Sequence, residues 1–184
     1  LILNAVKEFG QPKSILDVGC GKGEDIGNMV KVFPNTKIMG VDAYSYGEWD
    51  DFKKNSNVSF TTVRAENMFL GQESIFDVVY CSALMIMLKP GLQVPAIKAM
   101  LRVAKEGVIF IETHMGLEIK MFKEYFPGRT YTDFIKLFKE LKFTNYTMDK
   151  ISSEVWPGFP WTERGFVIKG RLKEYKQKHA KKKN

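Results

Sequence analysis

Ten consecutive residues, Ile15-Leu16-Asp17-Val18-Gly19-Cys20-Gly21-Lys22-Gly23-Glu24, bring together two acids and three glycines in a pattern suited to cradling a ligand with main-chain groups. Glycine tolerates positive φ and lets the backbone approach a ligand closely. Amides at the start of the following helix, about residues 23–27, then point outward from the carboxyl end of a strand, where open α/β sheets bind ligands. About twenty residues on, Asp42 closes Lys37-Ile38-Met39-Gly40-Val41, with Ala43 beside it, and an acid there grips ribose hydroxyls. Together they fit an adenosine-containing ligand. The alternative for Asp42 is a strand-end residue that caps the next turn.

Charge separates a dinucleotide from other nucleosides. A dinucleotide fingerprint reads G-x-G-x-x-G, whereas here the glycines are Gly19, Gly21 and Gly23, and Glu24 and Asp25 follow. A pyrophosphate docked at this helix start meets two carboxylates, and at ~4 Å each repulsion is about 1 kcal/mol in water and several-fold more near a protein surface. The same acids suit the positive end of a helix dipole and tolerate a cationic ligand.

The elements that must hold these residues alternate. A lead-in helix at residues 1–9 precedes a strand at 15–18, a helix at 24–33, strands at 37–41, 58–63 and 76–80, a helix at 92–104 and a strand at 107–112. This order calls for a parallel sheet with helices on both faces. Residues 131–141 read as a helix with Thr130 or Thr132 as its cap, and 143–151 and 165–172 alternate as strands. The chain of 184 residues, 45% hydrophobic and 27% charged, suits one compact domain, taken as residues 1–172, with a basic tail at 173–184.

Asp17-Val18-Gly19-Cys20-Gly21-Lys22-Gly23, Asp42 after a second strand, Phe76-Asp77-Val78-Val79-Tyr80-Cys81-Ser82 as a fourth, and residues 101–112 as helix, turn and fifth strand resemble the class I S-adenosylmethionine-dependent methyltransferases. The resemblance covers about residues 15–170. It implies an α/β, Rossmann-like, doubly wound fold, a mostly parallel seven-stranded sheet with the last strand antiparallel, in three α/β/α layers. It further implies S-adenosyl-L-methionine as cofactor, with Asp17, Gly19, Cys20, Gly21, Gly23, Asp42 and Ala43 among the residues that hold it. Cys81 and Ser82 match positions flanking its methionine part. Many members carry an acid and then an alanine after the third strand to address adenine. This chain has Arg64 at the acid position, so Ala65 and Glu66 become the candidates.

The implied reaction is in-line displacement of a methyl group from a sulfonium, in which positioning is the main contribution of the protein. A neutral hydroxyl or an ammonium acceptor needs a general base, and His114, just after the fifth strand, is the titratable candidate; the alternative is a structural histidine. The loop at 152–164 follows a sixth strand on the cofactor side and carries Trp156, Phe159 and Trp161, which can stack on a planar substrate or pack on the sheet edge or another subunit. The fourth-strand end, Cys81-Ser82-Ala83-Leu84, lacks the Asn/Asp-Pro-Pro-Tyr/Phe pattern of amino-methylating nucleic-acid enzymes, and the acid cluster of metal-dependent catechol enzymes is absent.

The formal charge of +7 gathers at the carboxyl end. Residues 171–184 hold seven Lys or Arg against Glu174, a net of +6, and the other 21 basic and 20 acidic residues leave the body at +1. Such a tail can follow nucleic-acid phosphates or remain a solvated end. Two cysteines make no disulfide framework and favour a reducing cytoplasm; two histidines exclude a histidine-rich metal site; no apolar run reaches membrane-spanning length. The chain opens on Leu1 with no signal-like segment, which leaves room for an upstream piece. Three readings stay open: a small-molecule methyltransferase acting on oxygen, nitrogen or carbon; an RNA or protein methyltransferase that uses the tail; and a non-catalytic S-adenosylmethionine-binding subunit.

Overall fold

Residues 15–18, 76–81 and 107–111 are too apolar for a strand with one wet face, so they must be covered on both sides. A computed structural model, which describes residues 1–89, 91–114, 132–158, 160–173 and 175, places them at the centre of a seven-stranded sheet. Strands β1 (Ser14–Val18), β2 (Lys37–Asp42), β3 (Val58–Thr62), β4 (Phe76–Ser82), β5 (Ala104–Thr113), β6 (Tyr146–Lys150) and β7 (Gly165–Arg171) lie in the order β3-β2-β1-β4-β5-β7-β6. The pairs from β3 through β5 are parallel, and β7 runs antiparallel to both β5 and β6, so six strands point one way and β7 the other.

Alternation along each strand divides the core into two halves. Ile15, Val78, Tyr80, Ile109 and Ile111 pack under helices α1 (Ile2–Lys7) and α2 (Glu24–Val32). Leu16, Val79, Cys81, Val108 and Phe110 pack under α3 (Gln93–Val103) and α4 (Phe134–Glu140). The result is three layers. The start of the sheet is locked by Asp77, whose Oδ2 accepts from the amides of Lys13 and Ser14 at 2.7 and 3.1 Å.

β1 lies between β2 and β4, so the connections leaving it diverge and open a crevice at the carboxyl ends of β1 and β4. Asp42 is the last residue of β2 and Ser82 the last of β4, both on that edge.

Some boundaries differ from the sequence expectation. β5 begins at Ala104, directly after α3, because Ala104 is already extended with φ −73° and ψ 141°, leaving no turn between them. α4 starts at Phe134, so its cap is Asp133, whose Oδ1 accepts from the amide of Lys136 at 2.9 Å; Thr132 lies one residue too early, and Thr130 and Tyr131 fall outside the described residues. A short helix, α5 (Trp161–Arg164), interrupts what reads as loop, and no helix among the described residues is long and apolar enough to cross a membrane.

Candidate active site

The chain leaves β1 at Val18 and is at once fastened to β2: the amides of Gly19 and Cys20 both donate to the Val41 carbonyl, at 2.7 and 3.1 Å. Gly19, Gly21 and Gly23 follow with φ of 79°, 50° and 91°. Gly19 has a second reason to be glycine, since a Cβ there would stand 2.8 Å from Cδ1 of Leu84. Gly23 caps α2, whose first turn carries Glu24 and Asp25 at the positive end of the helix.

Asp42 spans the gap between this turn and the next loop. Its Oδ2 accepts from the Gly21 amide and its Oδ1 from the Tyr44 amide, each at 3.0 Å. From a short 3₁₀ turn, Gly47–Phe52, the Trp49 indole N–H donates to the Gly21 carbonyl at 2.8 Å, while its ring stacks on Phe60 with centroids 4.8 Å apart. Lys22 pairs with Glu48 at 2.7 Å. The glycine turn is therefore held from β2 and from the segment beyond it.

Two cavities open here. One, of about 240 Å³, is lined by Asp17, Gly19, Cys20, Gly21, Lys22, Glu24, Asp25 and Ser82. The other, of about 440 Å³, runs past Asp42 and Ala43 between Tyr44, Tyr46, Val63, Ala65, Glu66, Leu84, Met87 and Leu88. Gly19, Gly21 and Ser82 belong to both. Of the cofactor residues named from the sequence, only Gly23 and Cys81 line neither. Gly23 is spent on the helix start, and Cys81 is buried on the α3 face, where its thiol donates to Oε1 of Glu112 at 3.4 Å. Glu66, facing the larger cavity, accepts at Oε1 from Nε of Arg64 at 2.9 Å.

Electrostatically the smaller cavity is acidic. Asp17 is 3% exposed and accepts from the Tyr80 hydroxyl at 2.8 Å. Burial pushes its carboxyl up to about 8, the Tyr80 hydrogen bond opposing and the charges of Asp25 and Asp42 adding. Burial also raises Asp25 and the Cys20 thiol, so Cys20 is no thiolate nucleophile near neutrality. On the opposite face of the sheet Glu112 is buried as well; burial lifts it to about 7 against the pull of the Met85 and Leu84 amides.

His114 lines neither cavity. Its Nδ1 accepts from the amide of Phe134, the first residue of α4, at 3.2 Å, and its ring meets Phe166 edge-on at 5.8 Å. Burial lowers its pKa, with Asp133 opposing. The ring lone pair thus serves a helix start, whose amides lack intrahelical acceptors. Trp156 and Trp161 stack on one another with centroids 4.1 Å apart and planes at 6°, against the core on the α1 and α2 face, and neither lines either of these two cavities. Phe159 lies outside the described residues.

Sequence reading passed over Tyr44, Tyr46 and Trp49, although the run Tyr44-Ser45-Tyr46-Gly47-Glu48-Trp49 directly after Asp42 is a visible aromatic cluster. It also passed over Leu84 and Glu112, for which a single strand-end acid gave no local signal.

The family model described as a methyltransferase domain matches residues 11–158. No curated protein matches the sequence. Among solved structures, the chain is similar to the 1,6-didemethyltoxoflavin-N1-methyltransferase of Burkholderia thailandensis, solved with 1,6-didemethyltoxoflavin and S-adenosylhomocysteine, at TM-score 0.69 and 14% identity over 92% of this chain and 75% of that one. It is also similar to the N-methyltransferase NodS of Bradyrhizobium japonicum with S-adenosylhomocysteine, at TM-score 0.66 and 15% identity over 92% and 83%. A third is the magnesium protoporphyrin IX methyltransferase of Synechocystis with bound S-adenosylmethionine, at TM-score 0.64 and 13% identity over 92% and 75%. These likenesses bear on the fold, and the family match on membership: the chain belongs to the methyltransferase-domain family, the S-adenosylmethionine-dependent enzymes of the Rossmann-like superfamily.

Proposed function

We propose that the chain transfers the methyl group of S-adenosylmethionine to a small-molecule acceptor, at oxygen, nitrogen or carbon. The observation that carries the reading is the pair of cavities joined at Gly19, Gly21 and Ser82, one walled by Asp17, Glu24 and Asp25 and the other built around Asp42. The cofactor is positive at its sulfonium and its ammonium, and it ends in an adenosine. Acids around the first cavity suit the charged end, and Asp42 with Val63, Ala65 and Leu88 suits ribose and base. When bound, S-adenosylmethionine supplies a methyl group already activated by its sulfonium.

What remains for the chain is to orient and to exclude water. Gly19 and Gly21 bring backbone close to the ligand, Asp17 and Asp25 balance positive charge, and Leu84, Met87 and Leu88 wall the outer side. Tyr44 and Met87, 72% and 65% exposed, form an apolar lip over which a small organic acceptor can enter. The Burkholderia neighbour, which holds 1,6-didemethyltoxoflavin, lends the acceptor class a parallel. We read residues 1–172 as the catalytic domain and 173–184 as a separate basic tail.

Calorimetry with S-adenosylmethionine, S-adenosylhomocysteine and a nicotinamide dinucleotide tests the cofactor: the first two bind, and dinucleotide binding alone overturns it. For the acceptor, release of S-adenosylhomocysteine is followed with pools of small hydroxyl, amine and heteroaromatic compounds and with RNA and protein. Turnover restricted to RNA or protein overturns the small-molecule reading.

A further inference from the structure

We propose that Glu112 is a positioning residue for the cofactor cavity: its buried carboxylate clamps the segment after β4, and through Leu84 it sets the cover over the Gly19 turn. The proposal rests on the S-adenosylmethionine reading above and goes beyond it in assigning a residue that lines neither cavity.

The geometry begins in the β4–β5 ladder. Ser82 is opposite Ile111, and the Ala83 amide carries the ladder one step further by donating to the Ile111 carbonyl at 2.9 Å. There the chain turns sharply, with Ala83 at φ 53°, a left-handed conformation that a side chain disfavours. The next two amides have left the ladder. Both donate to one atom, Oε1 of Glu112, from Leu84 at 2.7 Å and from Met85 at 2.9 Å, and the Cys81 thiol donates to it at 3.4 Å.

Glu112 is fully buried, and its Oε2 has no hydrogen-bond partner among the described residues. An acid so placed is costly in an apolar core unless its bonds compensate, and here the compensating bonds all go to residues 81–85. Acid and turn thus hold each other. The turn is what the cavity feels: Ser82, Ala83, Leu84, Met87 and Leu88 line the larger cavity, and Leu84 reaches to the surface of Gly19. Losing the clamp frees a strained turn whose leucine lies over the glycine cradle.

The test is calorimetric binding of S-adenosylhomocysteine to the whole chain and its variants. Glu112→Leu, similar in size and unable to accept, is expected to weaken binding about tenfold, and Glu112→Gln, which keeps an acceptor for the two amides, to stay within about threefold of wild type. In Glu112→Leu/Ala83→Gly the turn no longer needs holding against strain, and about threefold of the lost affinity returns. A role confined to stability would move melting temperature and not this rescue. Because Glu112→Leu can fail to fold, Leu84→Ala is measured beside it; it keeps every clamp bond, removes only the cover over Gly19, and is expected to weaken binding about fivefold.

Wild-type affinity in folded Glu112→Leu, or in Leu84→Ala, overturns the proposal. So does an unfolded Glu112→Leu beside an unimpaired Leu84→Ala. Wild type that binds no S-adenosylhomocysteine fails the cofactor reading itself, an outcome visible before any variant is made.

Discussion

The hydroxyl of Tyr80 donates to Oδ2 of Asp17 at 2.8 Å, across the β1–β4 pair in which these residues stand opposite one another. The carboxylate that faces the smaller cavity is therefore oriented from beneath by a neighbouring strand, in a site dry enough to hold its proton. That burial, which the Tyr80 bond only partly offsets, ties cofactor binding to pH.

Burial raises Asp17 to about 8 from an ordinary 3.8, so the folded chain keeps a proton that the unfolded chain gives up. Folding stability from this group is full below about 4 and is lost as pH climbs through about 8. Asp17→Asn should flatten that decline in urea unfolding from pH 4 to 8 and weaken S-adenosylhomocysteine binding about tenfold. A cation drawn beside Asp17 should also expel its proton. Binding heat at pH 7 should then vary with the ionisation enthalpy of the buffer in wild type and not in Asp17→Asn.

Tyr80→Phe leaves the buried Asp17 without its donor and is expected to cost roughly 1–3 kcal/mol of stability. Urea midpoints measure it, and because an unpaired acid is hardest to bury when ionised, the loss should be greater at pH 8 than at pH 5.

Asp42→Ala should weaken cofactor binding by roughly 1.5–3 kcal/mol and, unlike a residue serving ligand alone, also lower the melting temperature of the free protein. The second effect follows from its two amide acceptances, from Gly21 and Tyr44, which fasten the glycine turn to the following loop. Thermal melts with and without S-adenosylhomocysteine separate the two losses.

Trp49→Phe keeps an aromatic ring against Phe60 and removes the donor to the Gly21 carbonyl. An affinity loss of about 1 kcal/mol with an unchanged reaction rate at saturating cofactor is the expected outcome, read from initial-rate kinetics.

His114 is lowered by burial, so the folded chain prefers it neutral. Its contribution to stability is present above the ordinary value of 6.5 and is lost as pH falls below it. His114→Gln should remove that acid-side loss in melts between pH 7 and 5. A fall in turnover of ~100-fold with cofactor affinity intact is the separate mark of general-base use.

The sequence by itself determined the layered sheet and the floor of the site. Apolar runs at β1, β4 and β5 require cover on both faces, and the glycines after Val18 and the acid ending β2 are local facts that no packing can relocate. Their chemistry is carried by the main chain and by strand ends, which sequence order places directly. The tertiary structure decided what depends on neighbours distant in the chain. Only the β1–β4 register sets Tyr80 under Asp17, and only the β4–β5 register sets Glu112 beneath Leu84 and Met85, 28 and 27 residues away in sequence. His114 and Trp156 read alike as polar and aromatic residues beyond strand ends, yet one gives its lone pair to Phe134 and the other stacks on Trp161. A side chain after a strand is free to turn toward the crevice or back onto the core, and packing, which composition does not encode, makes that choice.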